Sequence, residues 1–362
     1  MSHIADKLTL LRRKMTEQGV DLLALGPGAH MHWVTGWHPH PDERLTLVLV
    51  SAQDACVVGP AVNGEQIDAN IDLPLHRWKD EDGPEAVLAR TVGTMGKIAS
   101  VALDETMRTD FSLTLLAILP GAAHTLAHDI VGQLRMTKDD AEFAALKASQ
   151  QINDRAMQAG FAAIKPGVTE RHVAGAIRDA FAAEGAEVAF ALCASGPNGA
   201  FPHHSTGDRQ LQAGDAVVLD IGAGFAGWPS DMTRMAAVGH LPDGYAEIHA
   251  VVEAASAAAM NAARPGVKAH EVDDAARKVI TDAGYGEYFV HRTGHGLGLE
   301  IHEPPYLTSS SQAVLTEGMV FSIEPGIYIP GRFGIRLEEI VILRKDGPEI
   351  FSDLPRDVHI AR

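Results

Sequence analysis

KPGVTERHVAGAIRDAFAAEG at residues 165–185 returns in altered form as RPGVKAHEVDDAARKVITDAG at residues 264–284. Pro166, Gly167, Val168, Val173, Arg178 and Gly185 recur as Pro265, Gly266, Val267, Val272, Arg277 and Gly284, an offset of 265 − 166 = 99. Each copy reads as a Pro-Gly turn followed by an amphipathic helix. The same offset carries His203 of FPHHS onto His302 of EIHEP. Further on, AGDAVVLDIG (213–222) parallels EGMVFSIEPG (317–326). Gly214 falls against Gly318 and Asp220 against Glu324, both at an offset of 104. Asp231 in PSDMTR answers Glu338 in IRLEEI at an offset of 107. Each half supplies a helix, a histidine, a carboxylate ending an apolar strand and a second carboxylate on the next strand. Set face to face, the halves converge four carboxylates and two histidines on one cleft.

That convergence has a chemical consequence. Asp220 follows AVVL and Glu324 follows VFSI, so both are expected to sit deep, where an unpaired charge is expensive. Four carboxylates in one cleft repel unless cations neutralise them. Oxygen ligands with one imidazole suit a pair of divalent ions such as manganese, cobalt or zinc. Two such ions can clamp a hydroxide and lower its pKa, which is hydrolytic chemistry.

The stretch HRTGHGLGLEIHEPP (291–305) is the richest in candidate ligands. It lacks the His-Glu-x-x-His spacing of zinc proteases, and Pro304-Pro305 forbids a helix after His302-Glu303. His295, flanked by glycines that let backbone approach closely, is the best ligand of its three histidines. His302, matched by His203, is expected to face the substrate. His291 has no repeat partner and reads as a packing or hydrogen-bonding histidine. Taken singly, Asp220 fits a strand cap, Asp231 a turn residue, and Glu338 a partner of Arg336 or Arg344. Their matched positions in both halves argue against that reading. GAGFAG (222–227) fits a dinucleotide-binding pattern, but Trp228-Pro229 follows where a helix must open, so it reads as a hairpin turn.

The chain has 362 residues and a net charge of −17, which disfavours nucleic acid as a partner. Its two cysteines, Cys56 and Cys193, build no disulfide framework and suit a reducing, cytoplasmic setting. No run approaches the roughly 18 apolar residues of a membrane span. Residues 1–134 alternate helical stretches with the strand-like runs LTLVLV, ACVVG and IASVAL, which indicates a small α/β domain. In the first helical stretch Leu8, Leu10, Leu11 and Met15 recur at helical spacing. A long alanine-rich helix follows, with Thr137 and Asp140 as its capping start, and opens a second domain at residues 135–362.

LDIGAGFAGWPSDMTR, RTGHGLGLEIHEPP, FSIEPGIYIPG and GIRLEEIVIL together resemble the creatinase, prolidase, aminopeptidase P and methionine aminopeptidase superfamily. The resemblance implies an α/β N-terminal domain of the creatinase/prolidase type and an α+β pita-bread catalytic domain, built from two related halves around a curved antiparallel sheet. It implies two divalent ions per chain, manganese first, with cobalt or zinc accepted. Asp220 would hold one ion, His295 and Glu324 the other, and Asp231 and Glu338 would bridge them. His203, preferred to His204, and His302 would hold the scissile carbonyl and stabilise the tetrahedral intermediate, and Glu324 would shuttle the proton. The implied activity is cleavage of Xaa-Pro bonds, as dipeptidase or aminopeptidase, by attack of a metal-bridging hydroxide. The implied assembly is a cytoplasmic homodimer. An arginine that reads the dipeptide carboxylate in several prolidases is replaced here by Tyr306. That leaves Arg336 as a substitute reader, and Trp37, His38 and Arg44 of the N-terminal domain as further substrate contacts. The alternative within enzymes is hydrolysis of a small non-peptide amide, ectoine- or creatine-like. The alternative outside them is a binding protein that keeps the fold without turnover.

Overall fold

A computed structural model describes residues 2–362. They divide into two compact units, one ending at Arg135 and one beginning at Met136. The first unit holds helices α1 (Ser2–Gln18), α2 (Ala29–Thr35), α3 (Gly64–Asn70), α4 (Glu85–Thr94), α5 (Thr109–Ile118) and α6 (Val131–Arg135). Its strands are β1 (Leu22–Leu25), β2 (Leu47–Ser51), β3 (Ala55–Pro60), β4 (Leu75–Trp78), β5 (Ser100–Leu103) and β6 (Ala123–Leu126). They form one mixed sheet in the order β4-β3-β2-β1-β5-β6. Strands β1 and β2 are buried along their whole length, which is why their runs are continuously apolar rather than alternating. On α1, Leu8, Leu11 and Met15 are buried while Leu10 is exposed, so the apolar stripe is one position narrower than expected.

The second unit carries the repeat. Its helices are α7 (Asp140–Ala163), α8 (Glu170–Ala183), α9 (Tyr245–Ala262) and α10 (Ala269–Asp282). One sheet runs β18-β10-β8-β7 and comprises β7 (Glu187–Ser195), β8 (Ala216–Phe225), β10 (Met232–Val238) and β18 (His359–Ala361). The short β9 (Trp228–Pro229) pairs with β8. The other sheet runs β12-β11-β13-β16-β17. It comprises β11 (Gly294–Gly296), β12 (Glu303–Leu307), β13 (Val320–Ile323), β16 (Glu339–Arg344) and β17 (Gly347–Ile350). A ribbon of β14 (Gly326–Ile329) and β15 (Phe333–Arg336) stands beside them. The pita-bread sheet is thus divided between the halves. It is antiparallel except where β18 runs parallel to β10.

The repeat is visible in the backbone. Gly167 and Gly266, Gly185 and Gly284, and Gly214 and Gly318 all adopt positive φ, a region that favours glycine. Gly167 N–H donates to Leu211 O and Gly266 N–H to Leu315 O, each at 2.8 Å. The return bonds, Leu211 N–H to Val168 O and Leu315 N–H to Val267 O, are also 2.8 Å. In one half Met157, Val173, Ile177 and Phe181 pack on Val217, Leu219 and Ile221. In the other, Ile248, Val252, Val272 and Ile280 pack on Phe321, Ile323 and Val341. Each such side chain contributes about 1.5–3 kcal/mol by leaving water. Because strand side chains alternate, covering Leu219 and Ile221 with helices sends Asp220 to the opposite face.

Three local expectations change. Asp139, not Thr137, caps α7, accepting from Ala141 N and Glu142 N, while the Glu142 carboxylate accepts from Asp139 N. Thr137 instead forms a bridge with Met319. Asp220 lies in the middle of β8 rather than at its end. The glycines beside His295 are required by close strand packing, a constraint the sequence reading does not anticipate. A Cβ at Gly294 would strike Ser322 O, and one at Gly296 would strike Pro304 O. GAGFAG closes a hairpin as expected: Ala226 and Gly227, both at positive φ, link Phe225 to Trp228.

Candidate metal centre

The carboxylates are placed in matched pairs. Asp220 is on β8, and Glu324 is the residue after β13. Asp231 immediately precedes β10, and Glu338 immediately precedes β16. Their ligand atoms meet in overlapping groups, each spanning no more than 4.8 Å: Asp220, Asp231 and Glu338; His295, Glu324 and Glu338; Asp231, His295 and His302. His295 Nε2 lies 3.3 Å from Glu324 Oε1 and 3.7 Å from Asp231 Oδ2.

The electrostatics of this cluster are extreme. Burial, then the charges of Glu338, Asp220 and Glu324, hold the Asp231 carboxyl well above the usual range. Burial, then Glu324 and Asp220, does the same to Glu338. Burial lifts Glu324 to about 7 against the opposing pull of Arg336. Burial, followed by the charges of His302 and Arg292, pushes His295 down to about 3. Its Nδ1 is 3.1 Å from Gly296 O, so Nδ1 carries the proton and Nε2 keeps its lone pair toward the carboxylates. A neutral imidazole with a free lone pair, beside carboxylates that resist ionising together, suits a divalent cation.

Neighbouring residues fix these groups. Thr233 Oγ1 donates to Glu338 Oε2 at 2.8 Å and accepts from Arg336 Nε at 2.9 Å. Arg336 also donates to Asp220 Oδ2 at 2.5 Å, to the Tyr328 hydroxyl at 2.7 Å and to Pro202 O at 3.4 Å. Four of its five N–H donors are therefore engaged. The Tyr328 hydroxyl is 2.9 Å from His291 Nε2, and His291 Nδ1 is 2.7 Å from Arg292 O. His291 is a hydrogen-bonding residue held neutral, burial and then Arg336 pushing it down to about 3. Glu339 faces away from the cluster, paired with the buried Arg234 at 2.8 Å. Arg234 also donates to Glu338 O at 2.6 Å, which fixes the backbone that presents Glu338.

Asp220, Asp231, Glu324 and Glu338 line a cavity of about 900 Å³, together with His203, His295, His302 and Arg336. His203 and His302 are exposed on it. The His302 ring stands edge-on to His295, 4.1 Å between centroids. His204 is tied to Glu170 at 2.9 Å. Glu303 is paired with Lys138 at 2.6 Å. Tyr306, on β12, lies under the Arg292 guanidinium. Trp37 and His38 belong to the first unit, where Trp37 N–H bonds Thr35 Oγ1 and His38 lies against His32. Arg44 is engaged with Asp80 and Glu43.

Sequence reasoning missed several supports. Glu170, buried on α8, accepts from Ser195 N, Ser195 Oγ and Asn198 Nδ2 at 2.7–2.9 Å. Asp273, buried on α10, accepts from Thr293 N and Oγ1 and takes the Arg277 fork. Both are acids on the inner face of an amphipathic helix, and that position was the available signal.

Comparison with known proteins agrees with this geometry. Residues 144–345 match the model of metallopeptidase family M24, and residues 7–137 match the creatinase/prolidase N-terminal domain. The chain is 40% identical to a probable dipeptidase PepE of Mycobacterium tuberculosis, covering 98% of this chain and 96% of that one. It is 34% identical to an Xaa-Pro dipeptidase of Lactobacillus delbrueckii subsp. lactis, covering 98% of each. The crystal structure of dipeptidase PepE from Mycobacterium ulcerans superposes with a TM-score of 0.93 at 37% identity, covering 99% of this chain and 98% of that one. With more than half of its length matched by that family and its fold shared with such relatives, the chain belongs to metallopeptidase family M24.

Proposed function

We propose that this metallopeptidase cleaves Xaa-Pro bonds, as a dipeptidase or aminopeptidase, using two divalent ions held in residues 135–362. Residues 1–134 are its creatinase/prolidase-type companion domain. The observation that carries the reading is the overlap of the ligand groups: Glu338 belongs to the group of Asp220 and to that of His295 and Glu324, and Asp231 lies within reach of both. That pattern suits Asp220 on one ion, His295 and Glu324 on the other, and Asp231 and Glu338 shared. Such ions, when bound, acidify water and polarise a carbonyl.

The chain's own residues do the rest. The cavity, about 900 Å³, has the size of a small-ligand site. Phe190, Leu192, Ile301 and Pro202 offer apolar wall to a prolyl ring. His203 and His302, on the exposed side, hold the scissile carbonyl and stabilise the charge that develops on its oxygen. Glu324 Oε1 is held by Ser322 Oγ at 3.1 Å, which leaves Oε2 to carry a proton to the leaving prolyl nitrogen. The names of the Mycobacterium and Lactobacillus relatives support a short peptide substrate. Manganese as the first ion, a cytoplasmic location and a homodimer follow from the family resemblance.

The test is alanine release from Ala-Pro and Ala-Pro-Ala, side by side with manganese supplied. Cleavage of either supports the reading, and the ratio separates dipeptidase from aminopeptidase. No cleavage of either by metal-loaded protein overturns it in favour of a non-peptide amide or a binding role.

A further inference from the structure

A second cavity, of about 480 Å³, lies between α9 and the segment 352–357. It meets the metal-centre cavity back to back at the start of β16. Glu338 lines the first cavity and Glu339 the second, as alternation along a strand requires. The rim of the second cavity is held in place. Ser352 Oγ donates to Asp154 Oδ1 at 2.7 Å, and Asp353 N to Asp154 Oδ2 at 2.8 Å. Arg234 donates to Leu354 O at 2.9 Å and to Pro355 O at 3.0 Å, and the same guanidinium holds Glu338 O and Glu339 Oε1.

Four carboxylates line this cavity: Glu253, Glu339, Asp353 and Asp357. Arg356 neutralises Glu253 through bonds of 2.8 and 2.6 Å, and Arg234 neutralises Glu339. Asp353 and Asp357 are exposed, and their carboxylates form no hydrogen bond or ion pair among the described residues. Glu339 is only 3% exposed, yet its Oε2 has no hydrogen-bond partner among the described residues. Nor has His249 Nε2. The other ring nitrogen of His249 donates to the Arg356 backbone, and burial keeps the ring neutral, so Nε2 presents a lone pair. Two buried acceptors are thus left without a donor, which costs free energy until a donor arrives.

We propose that this cavity binds a short aliphatic diamine in its doubly charged form. One ammonium donates to Glu339 Oε2 and His249 Nε2, and the other meets Asp353 and Asp357. The methylenes between them cover Ile350, Leu354 and Pro355, which supply apolar wall. An ammonium has three N–H donors and no acceptor, which suits acceptors that lack a partner. The two positive charges answer the two carboxylates without a counter-charge. A metal ion is a poorer match. Among the described residues these atoms do not gather into a group of three within 4.8 Å, as the metal-centre ligands do.

The experiment is isothermal titration of manganese-loaded full-length protein with 1,4-diaminobutane. Wild type should bind it saturably, one molecule per chain. 1,4-Butanediol, which lacks the charges, and the bis-trimethylammonium analogue, which lacks the N–H donors, should each bind far more weakly. His249→Phe should weaken diamine binding by about 10- to 100-fold, and so should Asp353→Asn combined with Asp357→Asn. Glu339 is left intact because its pair with Arg234 supports Glu338. Thermal unfolding without the diamine checks that each variant is folded, and the two exposed aspartates keep the test open if His249→Phe is not. Absence of saturable binding by wild type overturns the assignment. So does equal binding of the bis-trimethylammonium analogue, or unchanged affinity in the folded variants.

Discussion

The Thr233 hydroxyl donates to Glu338 Oε2 at 2.8 Å. A hydroxyl has one proton, so its other bond, from Arg336 Nε at 2.9 Å, must be an accepting one. The order Arg336 to Thr233 to Glu338 therefore fixes the carboxylate that both ligand groups share. Thr233→Val keeps the shape and removes the hydroxyl. It should cost about 1–3 kcal/mol in folding stability and lower metal affinity about 10- to 100-fold, with Thr233→Ser recovering most of both. Isothermal titration with manganese and urea unfolding check the two effects.

Arg234 holds Glu338 from the backbone side, through Glu338 O at 2.6 Å, and pairs with the buried Glu339. Its remaining donors reach Thr233 O, Leu354 O and Pro355 O. Truncating one partner of a buried pair leaves the other charge uncompensated. Arg234→Ala should destabilise the protein by about 3–5 kcal/mol and release metal along with structure. Urea unfolding checks it; a loss below about 1 kcal/mol would mean that the pair contributes little.

Glu170 gives a pH-dependent test. Burial acts to raise its carboxyl, but bonds from the Ser195 backbone, Asn198, the Ser195 hydroxyl and His204 outweigh burial and lower it below 4.5. A lowered carboxyl adds stability above its unfolded value and loses it as pH falls through the lower folded value. Wild type should exceed Glu170→Gln by about 1–3 kcal/mol at about pH 7, and the gap should close below about pH 4. Urea midpoints across that range read it directly. A gap that persists in acid would place the effect elsewhere.

Asp273 anchors Thr293, two residues before His295. Asp273→Asn replaces one accepting oxygen with an NH2 that faces donors, and it removes the charge that pairs with Arg277. The expected cost is about 1.5–3 kcal/mol, with a fall in Ala-Pro turnover because the segment carrying His295 loosens. Thermal unfolding and steady-state kinetics on the same preparation check both.

Much of this was legible because the repeat tied distant residues together. Gly214 and Gly318, read as a pair from spacing alone, share the same left-handed backbone. Asp220 and Glu324, and Asp231 and Glu338, face one cavity as matched acids should. The start of α7 was misplaced because Asp139 and Glu142 form a better capping pair than Thr137 and Asp140. The glycines around His295 are also constrained by Ser322 O and Pro304 O on neighbouring strands, which local sequence does not reveal. Arg234, Glu170 and Asp273 were missed for a similar reason. For Glu170 and Asp273 the local pattern shows an acid on the inner face of an amphipathic helix but not the distant N–H it fixes, and Arg234, inside a strand, lacks even that sign.

The most direct measurement is metal content and Ala-Pro turnover on the same samples, through chelation and stepwise return of manganese, for wild type and Asp231→Ala. Wild-type turnover should vanish with the metal and return to a plateau at about two ions per chain, while Asp231→Ala should neither hold metal nor turn over. Full turnover in chelated wild type, or in metal-free Asp231→Ala, would contradict the two-ion site.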